Sequence, residues 1–133
     1  MYMLYLQKKA EAMAKKILVI DDDPNIVELI RRRLEASQFQ VVTACNGQEG
    51  FDKLAPEKPD LVIVDVLMPQ MDGYTFVRNV RKEEDFKNLP IIVLTAKDKM
   101  KDLFELEGVR EYIVKPYRPE DLMQKVKRNL GVE

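Results

Sequence analysis

The sequence predicts an α/β fold in which a doubly wound parallel sheet lies between two layers of helices. Four apolar runs rich in β-branched residues occupy residues 17–20, 61–64, 91–94 and 112–114, and a fifth strand is predicted at residues 40–44. Short runs that no polar residue interrupts suit parallel strands buried on both faces. Because a helical segment follows each strand, the chain contains five strand–helix units, written (βα)5, in three layers with right-handed crossovers.

The helices of the first half have recognisable end signals. Residues 24–36 have one apolar face, and Asp23-Pro24 supplies an N-cap followed by proline at the first helical position. Residues 46–54 are predicted to form the next helix. That helix should stop before Pro56, because the residue before a proline avoids the helical region.

The helices of the second half follow the same order. A helix over residues 74–82 comes after the third strand. A helix around residues 99–107 stops at Gly108 as its C-cap, a position where glycine is common. The last helix covers residues 119–130 and ends before Gly131. The connections have ordinary lengths, so these elements fit one domain.

The first residues differ from the rest, which predicts an extension over residues 1–14 and one domain over residues 15–133. Charged residues between apolar ones predict a weakly amphipathic helix, which we expect to pack on the domain or on a neighbouring subunit. A mis-assigned start codon is the alternative origin of the extension. The apolar positions are Leu4, Leu6, Ala10 and Met13.

The composition limits the classes of function. Hydrophobic content of 46%, charged content of 34% and a formal net charge of −1 describe a globular domain without a field that attracts nucleic acid or anionic lipid. No apolar run has the length of a membrane span, so we expect no membrane partner. No helix-turn-helix pattern or basic face is left over, so we expect no direct nucleic-acid binding. The chain has no histidine, which excludes histidine-based catalysis and metal ligation within it. The single cysteine, Cys45, fits a cytoplasmic location and is expected to be half-buried.

Polar residues stand at the C-terminal ends of the four apolar runs. Ligands gather beyond the carboxyl ends of parallel strands, so these side chains are predicted to meet at one edge of the sheet. Taken alone, each aspartate is more often a helix cap and a threonine is usually a strand former. Their joint occurrence at four strand ends makes coincidence a poor explanation. The residues are Asp21, Asp22, Asp65, Thr95 and Lys115.

The residue types point to phosphoryl transfer with magnesium. Carboxylates about 4 Å apart repel by a few kcal/mol per pair at an effective dielectric of about 20, so the acids need a counter-ion. Mg2+ takes oxygen ligands and readily includes a phosphate oxygen among them. Asp65 is then the natural nucleophile, forming an acyl phosphate, while Lys115 and Thr95 serve the remaining phosphoryl oxygens.

At these residues the chain resembles the receiver domain of two-component response regulators, the family that includes the chemotaxis response regulator. The similarity runs from about Lys16 to Leu130. The resemblance implies a flavodoxin-like (CheY-like) fold with strand order 2-1-3-4-5. The motifs are Ile-Leu-Val-Ile-Asp-Asp-Asp-Pro at 17–24, Asp-Val-Leu-Met-Pro-Gln-Met-Asp-Gly at 65–73, Leu-Thr-Ala at 94–96 and Lys-Pro-Tyr at 115–117.

The resemblance also implies a role for each site residue. Asp65 accepts phosphate from a histidine kinase or a histidine phosphotransfer protein. Asp21 and Asp22 help to hold Mg2+ together with Asp65, and the backbone carbonyl of Leu67 is a further ligand. The Lys115–Pro116 peptide is cis in the family.

A second implied feature is a conformational switch. Thr95 and Tyr112 match the family's switch pair, in which the hydroxyl moves toward the phosphoryl group and the ring turns inward. This movement repacks the surface formed by the predicted helix around residues 99–107, the fifth strand and the last helix. Phosphorylation drives it by adding nearly two negative charges and three acceptors.

Three features depart from the family pattern. The stretch from Thr95 to Lys115 is shorter than usual, so the helix around residues 99–107 should be short or unusual, and the family's usual dimer or partner mode does not carry over directly. Arg118 stands where a hydroxyl normally caps the last helix. Leu67 and Lys97 flank the phosphoryl site and suggest slow self-dephosphorylation, slower than in a Leu67→Asn variant.

The expected function is a stand-alone phosphoacceptor receiver that relays a signal by changing shape. It is not expected to be an enzyme beyond assisting its own phosphorylation and dephosphorylation. One alternative is a magnesium-dependent phosphohydrolase with an aspartyl-phosphate intermediate, although such enzymes usually carry a second acid where this chain has Leu67. Another is a receiver fragment of a larger regulator or hybrid kinase. The output protein is not identified, and a homodimer linked to phosphorylation stays open.

Overall fold

The computed structural model describes residues 1–66, 68, 71–96, 100–109 and 111–132, and within them strands and helices alternate along the chain. The strands are β1 (Lys16–Ile20), β2 (Gln40–Ala44), β3 (Leu61–Asp65), β4 (Ile91–Thr95) and β5 (Glu111–Val114). The helices are α1 (Tyr2–Met13), α2 (Pro24–Ala36), α3 (Gly47–Glu57), α4 (Gly73–Lys82), α5 (Lys101–Leu106) and α6 (Pro119–Leu130), with a 3-10 turn at Glu84–Phe86.

The five strands form one parallel sheet in the order β2-β1-β3-β4-β5, which confirms the predicted doubly wound topology. The register aligns the strand ends: Ile20 lies opposite Val64, Asp65 opposite Leu94 and Thr95 opposite Val114. The residues that end or follow β1, β3, β4 and β5 are therefore brought to the same edge of the sheet.

The sheet separates two apolar cores, because successive strand residues point to opposite faces. On one face, Ile17 and Val19 pack with residues of α2 and α6. On the other face, Leu18 and Ile20 pack with residues of α3, α4 and α5. All five residues of β3 and of β4 are buried, as expected for central strands covered on both sides.

The end of α3 differs from the prediction that the helix stops before Pro56. The helix continues through Pro56 to Glu57, and Lys58 closes it in a left-handed conformation with φ 48°. Proline removes one helical donor, but the Lys58 amide restores a bond to the Leu54 carbonyl at 2.8 Å. Leu54 is buried in the core, so packing holds this last turn in place.

Helix α5 is short, as the sequence predicted for this region. It ends at Leu106 with Glu107 as its C-cap, and Gly108 follows with φ +78°, so the glycine predicted as the C-cap lies one position beyond the observed one. The predicted start at Lys99 lies outside the described residues. The start of α6 also matches its prediction, since Arg118 provides no side-chain cap.

The N-terminal extension forms a helix, as predicted, and its C-terminal end contacts the domain. Ala12 is buried in the core on the α2 and α6 side, and the Gln40 side-chain amide donates to the Met13 carbonyl at 2.5 Å. The side chains nearer the N-terminus are exposed, with Leu4 at 51%. Among the described helices, none combines the length and the apolar character that crossing a bilayer requires.

Candidate functional site

Three aspartates converge at the carboxyl edge of the sheet, as the sequence predicted. Asp21 follows β1 and Asp65 ends β3, on neighbouring strands. Ligand oxygens of Asp21, Asp22 and Asp65 all lie within 4.8 Å of one another. Asp21 and Asp65 are buried, whereas Asp22 is exposed, so the cluster is open to solvent on the Asp22 side.

Lys115 joins this cluster from the end of β5. Its Nζ donates to Asp65 Oδ1 at 2.9 Å and lies 4.0 Å from Asp21 Oδ2. The backbone amide of Lys115 donates to the Thr95 carbonyl at 2.6 Å, which ties the two strand ends together. The Lys115–Pro116 peptide is cis, in agreement with the family pattern.

The two oxygens of the Asp21 carboxylate differ in their hydrogen bonding. Its Oδ1 accepts a hydrogen bond from the Asp23 amide at 2.9 Å, whereas its buried Oδ2 has no hydrogen-bond partner in the part of the chain that the structure describes. Burial raises the pKa of Asp21 to about 6; the Asp65 charge adds to this increase, and the Asp23 amide and Lys115 oppose it. A buried carboxylate oxygen in an oxygen-only donor set fits a hard divalent cation such as Mg2+.

Lys115 supplies positive charge beside the acids. Its partial burial on its own lowers the pKa of the ammonium, but the hydrogen bond and charge of Asp65 and the charge of Asp21 outweigh burial and raise the pKa. The side chain is therefore protonated at neutral pH and stays beside Asp65.

The start of α4 packs directly beneath the site, and sequence reasoning missed the role of Gly73 in this contact. The Gly73 amide donates to the Val66 carbonyl at 2.9 Å. A Cβ at this position would lie 2.7 Å from the Asp65 carbonyl oxygen and 2.8 Å from the Val66 Cα. The signal available in the sequence is the pair Asp72-Gly73 directly before the predicted helix. Asp72 does cap α4, accepting from the Thr75 amide at 2.8 Å.

The predicted switch pair lies on one face of the sheet. Thr95 is buried at the end of β4, and Tyr112 on β5 lies opposite Val93. Because Val93 and Thr95 are alternate residues, Thr95 and Tyr112 point to the same side. The Tyr112 ring packs against Phe104 with centroids 5.6 Å apart. The geometry is compatible with the predicted switch, whose roles stay predictions.

Two predicted positions, the backbone carbonyl of Leu67 and the side chain of Lys97, lie outside the described residues. Cys45 is exposed and not half-buried as expected, because it follows the edge strand β2. A hydrogen bond to Glu49 raises the pKa of the Cys45 thiol, which disfavours the reactive thiolate.

Comparison with known sequences gives a consistent family. The family model described as "Response regulator receiver domain" matches residues 17–127. The alkaline phosphatase synthesis transcriptional regulatory protein PhoP of Bacillus subtilis is 41% identical over 117 residues, covering 86% of this chain and 48% of that protein. The sensor histidine kinase CheAY of Helicobacter pylori is 41% identical over 123 residues, covering 88% of this chain and 15% of that protein. The chain thus spans about half the length of the first transcriptional regulators it matches.

Solved structures agree with the fold. The chemotaxis protein CheY4 of Vibrio cholerae superposes with a TM-score of 0.80 at 33% identity, covering 86% of this chain and 97% of that chain. The response regulator TrrA of Thermotoga maritima, solved in complex with Mg2+ and BeF, has a TM-score of 0.78 at 36% identity and covers 86% of this chain and 98% of that chain.

These matches carry general properties of the family. Receiver domains bind Mg2+ at the acidic pocket, interact with histidine kinases and phosphotransfer proteins, and act as signalling domains that are generally not classed as enzymes. The strand order, the acidic edge and the family model over residues 17–127 agree, and the chain belongs to the response regulator receiver domain family.

Proposed function

We propose that Asp65 is the phosphoacceptor of this receiver, and that it takes a phosphoryl group from a phosphohistidine of a histidine kinase or a phosphotransfer protein. The observation that carries the proposal is the contact between Asp65 and Lys115 at 2.9 Å inside a cluster of three carboxylates. A carboxylate held beside a fixed cation is a positioned nucleophile whose developing phosphoryl charge can be neutralised locally.

In the phosphoryl transfer, Asp65 is the only residue of the chain that forms a covalent bond. An Asp65 oxygen forms the new bond to phosphorus while the bond from phosphorus to the donor nitrogen breaks, and the imidazole that leaves takes up a proton. Lys115 neutralises one phosphoryl oxygen from its place beside Asp65. The Thr95 hydroxyl, at the end of the neighbouring strand, donates to another. The chain contributes position and charge to an in-line reaction.

Asp21, Asp22 and Asp65 are the residues that would hold Mg2+, with the backbone carbonyl of Leu67 as a further ligand by resemblance. Bound there, Mg2+ supplies positive charge to the phosphoryl oxygens. The unsatisfied Oδ2 of Asp21 supports this assignment, because a buried carboxylate oxygen is stabilised by a cation partner.

The output of the switch is proposed to be the α5–β5–α6 surface, formed by Lys101–Leu106, Glu111–Val114 and Pro119–Leu130. Movement of Thr95 toward the phosphoryl group gives Tyr112 space to turn inward and repacks this surface. Leu106 at 83% exposure and Leu103 at 44% give it apolar area for a partner, which can be an output protein or a second copy.

The phosphohydrolase fits the site less well than the receiver does. Phosphohydrolases of the aspartyl-phosphate type usually carry a second acid two residues after the nucleophile, where this chain has Leu67. A receiver belonging to a larger regulator keeps the same site chemistry, and the relatives that extend beyond the matched segment favour that possibility. We assign residues 15–133 to the receiver domain and residues 1–14 to an N-terminal extension. We place the phosphoryl transfer in the cytoplasm.

The decisive experiment is stoichiometric labelling with acetyl phosphate and Mg2+. The wild type should take up close to one hydroxylamine-sensitive phosphoryl group per chain, and Asp65→Asn should take up none. Asp52→Asn is the matched control, because it removes an exposed aspartate on α3 and should label like the wild type. Equal labelling of wild type and Asp65→Asn contradicts the proposal. Continuous hydrolysis of a phosphomonoester that depends on Asp65 would instead support the phosphohydrolase.

A further inference from the structure

Three aromatic rings lie in a row from α4 across α5 to β5. Tyr74 meets Phe104 edge-on, with centroids 5.4 Å apart and an interplanar angle of 80°. Phe104 meets Tyr112 at 5.6 Å and 44°. Phe104 is fully buried, and the rings on either side of it are partly buried. The middle ring is therefore packed between the switch tyrosine and a tyrosine on the helix that begins beneath Asp65.

The Tyr74 end of this row is fixed to α4. Tyr74 directly follows Gly73, whose contact with the Asp65 backbone sets where the helix starts. One turn later, the Arg78 guanidinium lies 5.9 Å from the centroid of the Tyr74 ring and 3.8 Å from a Glu107 carboxylate oxygen. A cation over the ring face and a helix beneath it hold Tyr74 in place.

The α5 side of the row is braced to the same helix. Arg81 of α4 donates to the Glu107 carbonyl at 2.8 Å and to the Gly108 carbonyl at 3.4 Å, just beyond the end of α5. Phe104 lies one turn before these carbonyls. Since protein interiors are close-packed, Phe104 cannot move away from Tyr112 unless Tyr74 yields or this brace opens.

We propose that Tyr74 is a positioning residue of the switch: it supports Phe104, and Phe104 sets the orientation of the Tyr112 ring. The inference rests on the proposed phosphoacceptor function. Because the Tyr112 ring packs on Phe104, a turn of that ring changes the contact that Tyr74 supports. Removing the Tyr74 ring gives Phe104 room to relax, which alters its contact with Tyr112 and shifts the balance between the two positions of the Tyr112 ring.

Because ligand binding and ring orientation are thermodynamically linked, a change in the orientation of Tyr112 can be measured as a change in affinity. A phosphoryl mimic at Asp65 favours the inward ring, so any change that favours the inward ring must raise the affinity for the mimic by the same factor. Tyr74→Ala should therefore change the affinity for beryllium fluoride, at saturating Mg2+, by about fivefold relative to the wild type. Tyr74→Phe keeps the ring and should bind like the wild type.

The experiment is isothermal titration of each variant with beryllium fluoride. Phe51→Ala is the matched control, because Phe51 is also partly buried against the core on the same sheet face. It should lower stability without changing the affinity for beryllium fluoride. Tyr74→Leu keeps apolar volume but removes the ring edge, so it should also change the affinity, and it replaces Tyr74→Ala if that variant proves too unstable to titrate.

The same titration in a Tyr112→Ala background separates coupling from simple structural loss. There the Tyr74→Ala change should leave the affinity unaltered, because the ring that Tyr74 indirectly holds is gone. An equal effect in both backgrounds, or no effect in the wild-type background, overturns the inference while the phosphoacceptor assignment stands. Absence of binding by the wild type, or equal binding by Asp65→Asn, overturns that assignment and this inference with it.

Discussion

At the scale of single residues, the site is a set of charges placed where they repel one another. Asp21 is the residue that shows this most clearly, because one oxygen is satisfied by a backbone amide and the other is buried without a hydrogen bond within the described chain. Lys115 Nζ lies 2.9 Å from Asp65 Oδ1 and 4.0 Å from Asp21 Oδ2. It therefore offsets more of the charge repulsion at Asp65 than at Asp21. The remaining repulsion favours a bound cation and, without one, a bound proton.

The pKa of Asp21 gives a pH-dependent stability. Its folded value of about 6 lies above its ordinary 3.8, so ionisation in the folded state costs on the order of 3 kcal/mol. The contribution of Asp21 to folding stability is therefore fully present below pH 4 and is lost as the pH rises through 6. In EDTA, Asp21→Asn should be more stable than the wild type at pH 7.5, and the difference should shrink toward pH 4.5.

Urea unfolding at several pH values measures this difference. The chain has no histidine, so no imidazole titrates in the same window. Asp85→Asn, which removes an exposed aspartate of the 3-10 turn, serves as the control and should show a nearly constant difference from the wild type. If the wild type were more stable than Asp21→Asn at pH 7.5, ionised Asp21 would not destabilise the fold, and the prediction would be wrong.

At the scale of elements, α4 connects the site to the rest of the α5 side of the sheet. Its first residue packs on the backbone of Asp65 and Val66, and its last turn carries Arg81. Besides the two carbonyls after α5, Arg81 donates to the Leu89 carbonyl at 2.8 Å and the Phe86 carbonyl at 3.2 Å. One side chain thus donates to carbonyls of two segments, the turn over residues 86–89 and the residues just after α5.

Gly73→Ala tests the contact at the start of α4. The added methyl group must displace either the helix or the Asp65 backbone, which costs about 1–3 kcal/mol by overpacking and should also reduce acetyl phosphate labelling. Gly131→Ala is a useful comparison, because φ +67° strains the new residue, while within the described residues no tertiary contact lies within 4 Å of the added Cβ. It should cost about 1 kcal/mol and leave labelling unchanged. Wild-type labelling by Gly73→Ala would show that α4 does not position Asp65.

Arg81→Leu tests the brace at the end of α4. Losing a charged donor to several carbonyls should lower the free energy of unfolding by about 2–4 kcal/mol and speed amide exchange around Gly108. Arg78→Leu is the matched change on the same helix. Its ion pair is half-exposed and 3.8 Å long, so its loss should cost less than about 1 kcal/mol. Similar losses for both variants would contradict a special role for Arg81.

At the scale of the whole molecule, five parallel strands bring distant segments to one edge, and the site exists only when the sheet is complete. Asp21 and Lys115 are 94 residues apart in the chain, yet their charged atoms lie 4.0 Å apart. Binding at this edge must therefore stabilise the entire fold, because an unfolded chain has no such cluster.

Mg2+ should accordingly raise the thermal midpoint of the wild type. Stabilisation of about 1–3 kcal/mol at saturating metal corresponds to a shift of several degrees in a domain of this size. NaCl at equal ionic strength is the control for screening. The shift should be smaller at pH 5.5, where protons compete for Asp21, and Asp22→Asn should reduce it. An unchanged midpoint in Mg2+ at pH 7.5 would contradict the metal assignment.

The sequence by itself determined the strands, most helix limits and the residues of the acidic edge. Buried strands and helix caps depend on local residue type, as Asp23 and Asp72 show, and aligned strand ends then bring their polar neighbours together. The continuation of α3 through Pro56 was mispredicted, because burial of Leu54 outweighs a local preference.

Only the tertiary structure decided how the elements are joined. The close packing of Gly73 on Asp65, the four-carbonyl contact of Arg81 and the row of rings from Tyr74 to Tyr112 each join separate elements of the fold. No local pattern in the sequence encodes such contacts, since they depend on which side chains the sheet and its helices bring within a few ångströms of one another.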